Sequence, residues 1–315
     1  MIVTEKKSYN TIDSYPGMTH NVVMILKHRV RATQKNTAWV FNTETAETSQ
    51  AFFSRKLKPI CGDYVELVGS GTDLKIQSIC ERDNTFDRAD RKGRPQHIAA
   101  NIDQMVIVLA VEPAPTRDII NRYLIAAELN RLKAVLVFNK SDLDSDIFDE
   151  DIKRYQALSY ATIKCSTKDI GSLTAVNDIF LNKTSIIVGQ SGVGKSSLSQ
   201  FILQDDSLKT GKLSQKTGKG AHTTSVTQLY PLKEANSYLI DSPGVWEYGL
   251  WLMSALDLAQ GFIEFNVYAG QCKFSNCSHI HEPGCAIMAA TDAGEIMYER
   301  YESYLRIVDS MKYWS

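Results

Sequence analysis

Residues Gly189-Gln190-Ser191-Gly192-Val193-Gly194-Lys195-Ser196 spell G-x-x-x-x-G-K-S. The apolar run TSIIV precedes them, and SSLSQFIL, with helical apolar spacing, follows. A glycine-rich turn between a strand and a helix lets successive backbone N–H groups point inward at phosphate oxygens. In such a loop Lys195 reaches the β- and γ-phosphates, the Ser196 hydroxyl holds Mg²⁺, and Ser197 joins the binding set.

The base is read elsewhere. Asn139-Lys140-Ser141-Asp142 follows the apolar run AVLVF. A carboxylate at Asp142 can accept from the N1–H and N2–H₂ of guanine, donors that adenine does not present in that arrangement. Asn139 would tie this loop to the phosphate loop, and the Lys140 stem would pack on the base. Cys165-Ser166-Thr167, after YATIK, lies where a third base-binding loop belongs, with backbone N–H groups of Ser166 and Thr167 available to guanine O6.

A γ-phosphate sensor needs an Asp at a strand end, then Gly. D-x-x-G occurs twice. Asp90–Gly93 lies in a charged stretch with no evident strand before it. Asp241-Ser242-Pro243-Gly244 follows SYLI directly and is the better choice. Asp241 would hold Mg²⁺ through water, and the Gly244 N–H would meet the γ-phosphate. Thr223 and Thr224, in KTGKGAHTTS, are the candidates for the other switch, with Thr224 as the Mg²⁺ ligand. Many enzymes of this chemistry orient the attacking water with a Gln just after D-x-x-G. Val245 and Trp246 stand there, so His222 is the nearest polar candidate, and His222 with Lys195 forms the expected catalytic pair.

The order of these loops is unusual, because NKSD precedes the phosphate loop by fifty residues. A parallel sheet gathers its functional loops at the C-terminal ends of its strands, so rejoining the chain elsewhere leaves that edge intact. The order implies a circular permutation. The chain also leaves DSPG straight into its C-terminal part, whose position the γ-phosphate state is therefore expected to influence.

The elements that must position these residues are legible as texture. Met105–Val111, AVLVF, YATIKC, TSIIVG and SYLID read as buried strands, and RDIINRYLIAAELN and Ile147–Leu158 as helices. Continuous apolar strands alternating with amphipathic helices predict a mostly parallel α/β sheet over 86–248. Residues 1–85 show short alternating runs (NVVMILKHRV, TAWVFNTET, DYVELVGSGTDLKIQSI), the pattern of a small all-β barrel of the oligonucleotide-binding kind. Residues 1–60 hold nine Lys or Arg against four Asp or Glu, which suits either an RNA-facing patch or a solvated surface. The stretch 82–97 reads as a polar linker. Residues 249–315 begin and end with helical patterns.

Between those helices, Cys272-x4-Cys277-x-His279-x5-Cys285 offers three thiols and an imidazole. Four N/S donors suit one tetrahedral, structural Zn²⁺. His281 lies close enough to substitute for His279. Of the 315 residues 43% are hydrophobic and 23% charged, with formal net charge −1, so the chain is neither a disordered tail nor a bulk polycation. No apolar run approaches the roughly 20 residues of a membrane span, and a cytoplasmic location is expected.

Taken together, NKSDL, GQSGVGKSSL, GKGAHTTS, DSPG, the segment RPQHIAANIDQMVIV, the strand-rich N-terminal part and the Cys/His spacing resemble the RsgA (YjeQ) family of ribosome-assembly GTPases. The resemblance spans essentially the whole chain. It implies an oligonucleotide-binding (OB-fold) barrel, a circularly permuted P-loop GTPase domain and an α-helical zinc domain. It also implies GTP and GDP as ligands, Mg²⁺ and one Zn²⁺, a monomer, and action late in maturation of the small ribosomal subunit. That subunit and its ribosomal RNA would be the partners, and its presence would stimulate slow hydrolysis. By motif, Cys272, Cys277, His279 and Cys285 take the zinc-ligand positions and His222 the water-orienting one. Ala221 stands where the family often has Arg, and Cys165-Ser166-Thr167 matches only loosely. Two other readings are an RNA-binding placeholder that binds GTP with negligible turnover, and a P-loop ATPase or kinase, which NKSD argues against.

Overall fold

The computed structural model describes residues 28–90, 92–143, 146–203, 226–242 and 250–311. Five strands close a small barrel: β1 (His28–Gln34), β2 (Thr37–Asn42), β3 (Thr48–Phe52), β4 (Tyr64–Val68) and β5 (Lys75–Ile79). Alternation along them sends Val30, Ala38, Val40, Ala51, Val65 and Ile76 into one interior. A register shift in β1 between Val30 and Ala32 marks a bulge near Arg29. Arg29 leaves the barrel and is 1% exposed.

The stretch 82–97, expected to be a linker, is largely a hairpin of β6 (Thr85–Ala89) and β7 (Pro95–Ala100). Its charges are spent locally: Arg94 and Asp90 pair at the turn, while Phe86 and Ala99 enter the main apolar core. Asp90–Gly93 is that turn. Contrary to expectation it does follow a strand, yet the Asp90 carboxylate accepts from the Lys92 and Arg94 N–H groups at 2.8 and 2.9 Å.

The central sheet has six strands: β8 (Gln104–Ala110), β9 (Lys133–Asn139), β10 (Ala161–Lys164), β11 (Thr184–Val188), β12 (Gln228–Pro231) and β13 (Tyr238–Asp241). Their order is β10-β9-β8-β11-β13-β12, all parallel except the edge strand β12. Both faces are covered, which is why β8 and β11 are buried at every position and read as unbroken apolar runs. Val106, Val108 and Ala110 join a core with α3 (Ile170–Ile179) and α4 (Lys195–Leu203). Met105, Ile107 and Leu109 face the other way, toward α1 (Arg117–Leu129) and α2 (Asp149–Ala157).

The C-terminal part comprises α5 (Ala255–Gln260), a 3-10 helix (Ile263–Tyr268), α6 (Ala286–Asp292) and α7 (Tyr298–Met311). It does not stand apart. Phe262, Phe265, Cys277, Cys285 and Tyr304 belong to the same apolar cluster as Tyr123 and Ile125 of α1. Polar contacts fasten that seam. The buried Arg300 guanidinium donates to both Glu264 carboxylate oxygens at 2.6 and 2.9 Å and to Asn121 Oδ1. Ser303 and Arg306 donate to Asp118 at 2.7 and 3.0 Å. On the other side, Arg29 donates to Thr184 Oγ1 of β11 at 2.8 Å and lies over the Tyr238 ring at 4.8 Å, fixing the barrel to the sheet. Among the described residues no helix is long and apolar enough to cross a membrane.

Candidate functional site

The parallel register brings the expected nucleotide loops to one edge. β9 ends at Asn139, β10 leads into Cys165–Thr167, β11 leads into Gly189, and β13 ends at Asp241. Asp241 is paired in register with Ile187, so the DSPG carboxylate lies beside the strand that feeds the phosphate loop.

Gly189, Gly192 and Gly194 have φ of +143°, +82° and +97°, the left-handed region where a side chain is strained. Space makes the same demand at two of them. A Cβ on Gly189 would come within 2.3 Å of the Val108 carbonyl oxygen, and one on Gly194 within 2.2 Å of Asn139 Nδ2. Asn139 is fully buried, and its Nδ2 donates to the Val193 carbonyl at 2.8 Å. The tie expected between the NKSD and phosphate loops is therefore present. Ser191, Gly192, Ser196 and Ser197 are exposed on the open side, whereas Val193 is buried in the core beneath.

Lys195 opens α4, and its ammonium donates to the Gly189 and Gln190 carbonyls at 2.7 and 2.5 Å. Burial lowers its pKa to about 8, opposed by the charge of Asp241. Burial raises the pKa of Asp241, and Lys195 pulls it back. Each group thus depends on the other, and a ligand with phosphate and a divalent cation supplies both charges with better partners. The N-terminus of α4 adds its dipole to that attraction for anions.

In the base-binding region, Asp142 accepts from Ser166 Oγ at 2.6 Å and Lys168 Nζ at 2.7 Å. The Lys168 ammonium, then the Ser166 hydroxyl, holds its carboxyl below the ordinary range. An ionised carboxylate has about four lone-pair directions, so acceptor capacity remains for a guanine donor. Lys140 has φ +61° and donates from Nζ to the Glu112 carbonyl at 2.6 Å, which fixes its stem. Ser166 is buried and Thr167 half-buried at the same turn, and the Ser141 N–H donates to the Cys165 carbonyl at 3.1 Å. His222, Thr223, Thr224 and Gly244 lie outside the described residues, as do Val245 and Trp246.

In the C-terminal part, Cys272, Cys277, His279 and Cys285 place one donor atom each within 4.8 Å of one another. His279 Nδ1 lies 3.6 Å from Cys272 Sγ and 3.4 Å from Cys285 Sγ. Tetrahedral zinc, with bonds of about 2.1 Å to N and 2.3 Å to S, sets an N···S separation of about 3.6 Å. The donor set and its spacing fit that ion. Backbone N–H groups of Ala286 and Met288 donate to the Cys272 and Cys285 sulfurs at 3.3 and 3.5 Å, the support thiolate ligands require. His279 reaches the cluster from a left-handed turn at φ +58°, with its carbonyl held by the Tyr301 hydroxyl at 2.8 Å. His281, the alternative left open by sequence, is not in the cluster.

Residues 79–251 match the RsgA GTPase family. The chain belongs to that family. Over 242 residues it is 44% identical to the small ribosomal subunit biogenesis GTPase RsgA of Marinobacter nauticus, spanning 75% of this chain and 69% of that one. Its likeness to the RsgA protein of Haemophilus influenzae, 34% over 317 residues, spans 98% of this chain and 89% of that one. Among solved structures it resembles YjeQ from Thermotoga maritima, with a TM-score of 0.71 at 29% identity, over 90% of this chain and 98% of that one. The likeness to YloQ, a circularly permuted GTPase, is one of fold: TM-score 0.72 at 22% identity, over 95% and 99%. As an RsgA GTPase the chain is a GTP hydrolase, and its loop order is that of a circularly permuted sheet.

Proposed function

We propose that this RsgA GTPase acts in late maturation of the small ribosomal subunit, binds that subunit's ribosomal RNA, and hydrolyses GTP faster when the subunit is present. The observation that carries the nucleotide half is the buried Asn139 bond to Val193, which joins the base-reading and phosphate-binding loops into one site. The ribosomal half rests on relatives named as small-subunit biogenesis GTPases. On the barrel, the exposed Phe52 sits in register with Lys75, and Arg55, Lys56 and Lys58 follow it in the chain, a combination of aromatic and cationic residues that suits unpaired RNA bases.

Within the site, backbone N–H groups of Gly189–Ser196 hold the phosphates, with Gln190, Ser191, Gly192 and Val193 supplying the turn. Lys195 releases its carbonyl partners to meet the β- and γ-oxygens. Asp142 accepts from the guanine edge, Lys140 packs on the base, and Ser166 and Thr167 close the loop around O6. Ser196, Thr224 and Asp241 would hold Mg²⁺, which neutralises developing phosphate charge. The Gly244 N–H meets the γ-phosphate, Thr223 supports the same switch, and His222 orients the attacking water. Cys272, Cys277, His279 and Cys285 would hold one structural Zn²⁺. We assign residues 1–85 to the RNA-binding barrel, 86–248 to the GTPase domain and 249–315 to the zinc domain, in a monomeric cytoplasmic protein.

The decisive experiment measures GTP turnover by the purified chain, alone and with small or large ribosomal subunits at low salt, with ATP as competitor. Strong stimulation by small subunits only, undiminished by ATP, is the expected result. Tight GTP binding with flat turnover would move the assignment to an RNA-binding placeholder.

A further inference from the structure

The antiparallel pair β12–β13 ends where the nucleotide site begins. Its registered positions run from Pro231↔Tyr238 to Gln228↔Asp241. One position further on, the hydroxyls of Thr227 and Ser242 are joined at 2.9 Å. Side chains thus close the ladder past its last backbone pair. Ser242 is 8% exposed, so breaking this bond would leave a hydroxyl away from water without a partner, which costs free energy.

Alternation places this bond on the sheet face away from the phosphate loop. Leu229 and Ile240 enter the core shared with α1, while Leu239 enters the core shared with α4. Thr227 and Ser242 continue the first series. Gln228 and Asp241 continue the second, on the side where α4 opens with Lys195. There the charges of Asp241 and Lys195 act on each other. On one flank Asp241 is in register with Ile187 of β11, a strand buried at every position. On the other flank its support is β12, an edge strand of four residues. Regions held by few contacts open most readily, and the Thr227–Ser242 bond lies at the end of that strand.

We propose that Thr227 is a positioning residue for Asp241: its hydroxyl, bonded to Ser242, pins the end of β13 and so holds the Asp241 carboxylate in place for Mg²⁺ without touching ion or nucleotide. The inference rests on Asp241 being the Mg²⁺-side carboxylate of the proposed site.

The test follows binding of a nonhydrolysable GTP analogue to the full chain across a Mg²⁺ titration, with melting temperature alongside. Thr227→Val keeps the side chain's shape and removes its hydroxyl. It is expected to raise the half-saturating Mg²⁺ concentration about fivefold, the scale of one lost hydrogen bond, while Mg²⁺-free affinity stays within about twofold. Thr227→Ser is expected to keep the parent's Mg²⁺ dependence. Ser242→Ala should reproduce the Thr227→Val shift, and the double variant should add little, since both changes remove the same bond. A parent-like Mg²⁺ dependence in Thr227→Val, a shift in Thr227→Ser as large as in Thr227→Val, or an equal loss of Mg²⁺-free affinity would overturn the proposal. Should Thr227→Val not fold, Ser242→Ala decides by the same readings. Asp241→Asn is the control. A shift there with none in Thr227→Val overturns the role of Thr227 alone, whereas no shift in Asp241→Asn overturns the assignment of Asp241 and the role of Thr227 with it.

Discussion

At the phosphate edge the groups that face the ligand are backbone N–H groups, a lysine and exposed serines, gathered where parallel strands end. At the Cys/His cluster they are four side chains, two of them fully inside the main apolar core. The first cradle rests on glycines and is open. The second is closed, and its ligands also serve as core residues. Emptying the first should leave the scaffold standing, because Val193 and Leu198 pack into an apolar cluster with the strands and helices beneath. Emptying the second removes a crosslink from the cluster that also covers α1, so its loss should be felt in the GTPase sheet.

The largest effect expected is on the metal side. Chelation, or Cys277→Ala, should destabilise the chain by at least about 3 kcal/mol, since structural zinc contributes folding energy directly. Hydrogen exchange should then rise in α1 as well as in α6 and α7. Full protection of α1 in the metal-free protein would break the comparison.

Next is Gly194→Ala. The new methyl would press on Asn139 Nδ2 at 2.2 Å and strain a φ of +97°. GTP affinity should fall by more than about 100-fold, while strain of this kind costs only about 1–3 kcal/mol of stability. Retained metal content and cooperative melting, measured with a nucleotide titration, would show that the damage is confined to the open cradle.

The smallest effect concerns Lys195, whose pKa near 8 is depressed by burial. Phosphate raises it on binding. Affinity gained from the ammonium is thus fully present below about pH 8 and declines as pH rises through and above that value. Calorimetry in buffers of different ionisation enthalpy should detect net proton uptake on GDP binding at pH 8.5. No uptake would mean that Lys195 is already charged in the empty site.

Legibility in the sequence followed the same division. The strands that feed the nucleotide loops are buried on both faces, so TSIIV and AVLVF announced themselves without context. Glycine and NKSD spacing reflect backbone demands that few other residues meet. The Cys/His spacing gave the donor set with His279 ahead of His281, and the fold brings His279 into the cluster. Elements whose identity comes from tertiary contacts were harder to see. The β6–β7 hairpin hid behind exposed charges, because Phe86 and Ala99 are too few to make a pattern. Strand β12 is four residues long and ends on Pro231, and α3, with exposed Ile170, has a weak apolar stripe. The close seam between the C-terminal helices and α1 was not legible at all. Arg300 and Asn121 are 179 positions apart, so any shift of the C-terminal part with nucleotide state must carry α1 with it.

The Arg29–Thr184 bond has a consequence for biogenesis of the chain itself. Its partners are separated by 155 positions, and ribosomes add about 5–20 residues per second. The first described strand therefore spends roughly 8–30 seconds in an emerging chain before its anchor on β11 exists. During that interval the barrel must stand by its own interior of Val30, Val40, Val65 and Ile76, with Arg29 held only by earlier partners, the Gly62 and Asn101 carbonyls and the Tyr64 ring. Docking of the barrel onto β11 is thus a late event, and a chain truncated before residue 184 should display a folded barrel held only by its contacts with Ala100 and Asn101.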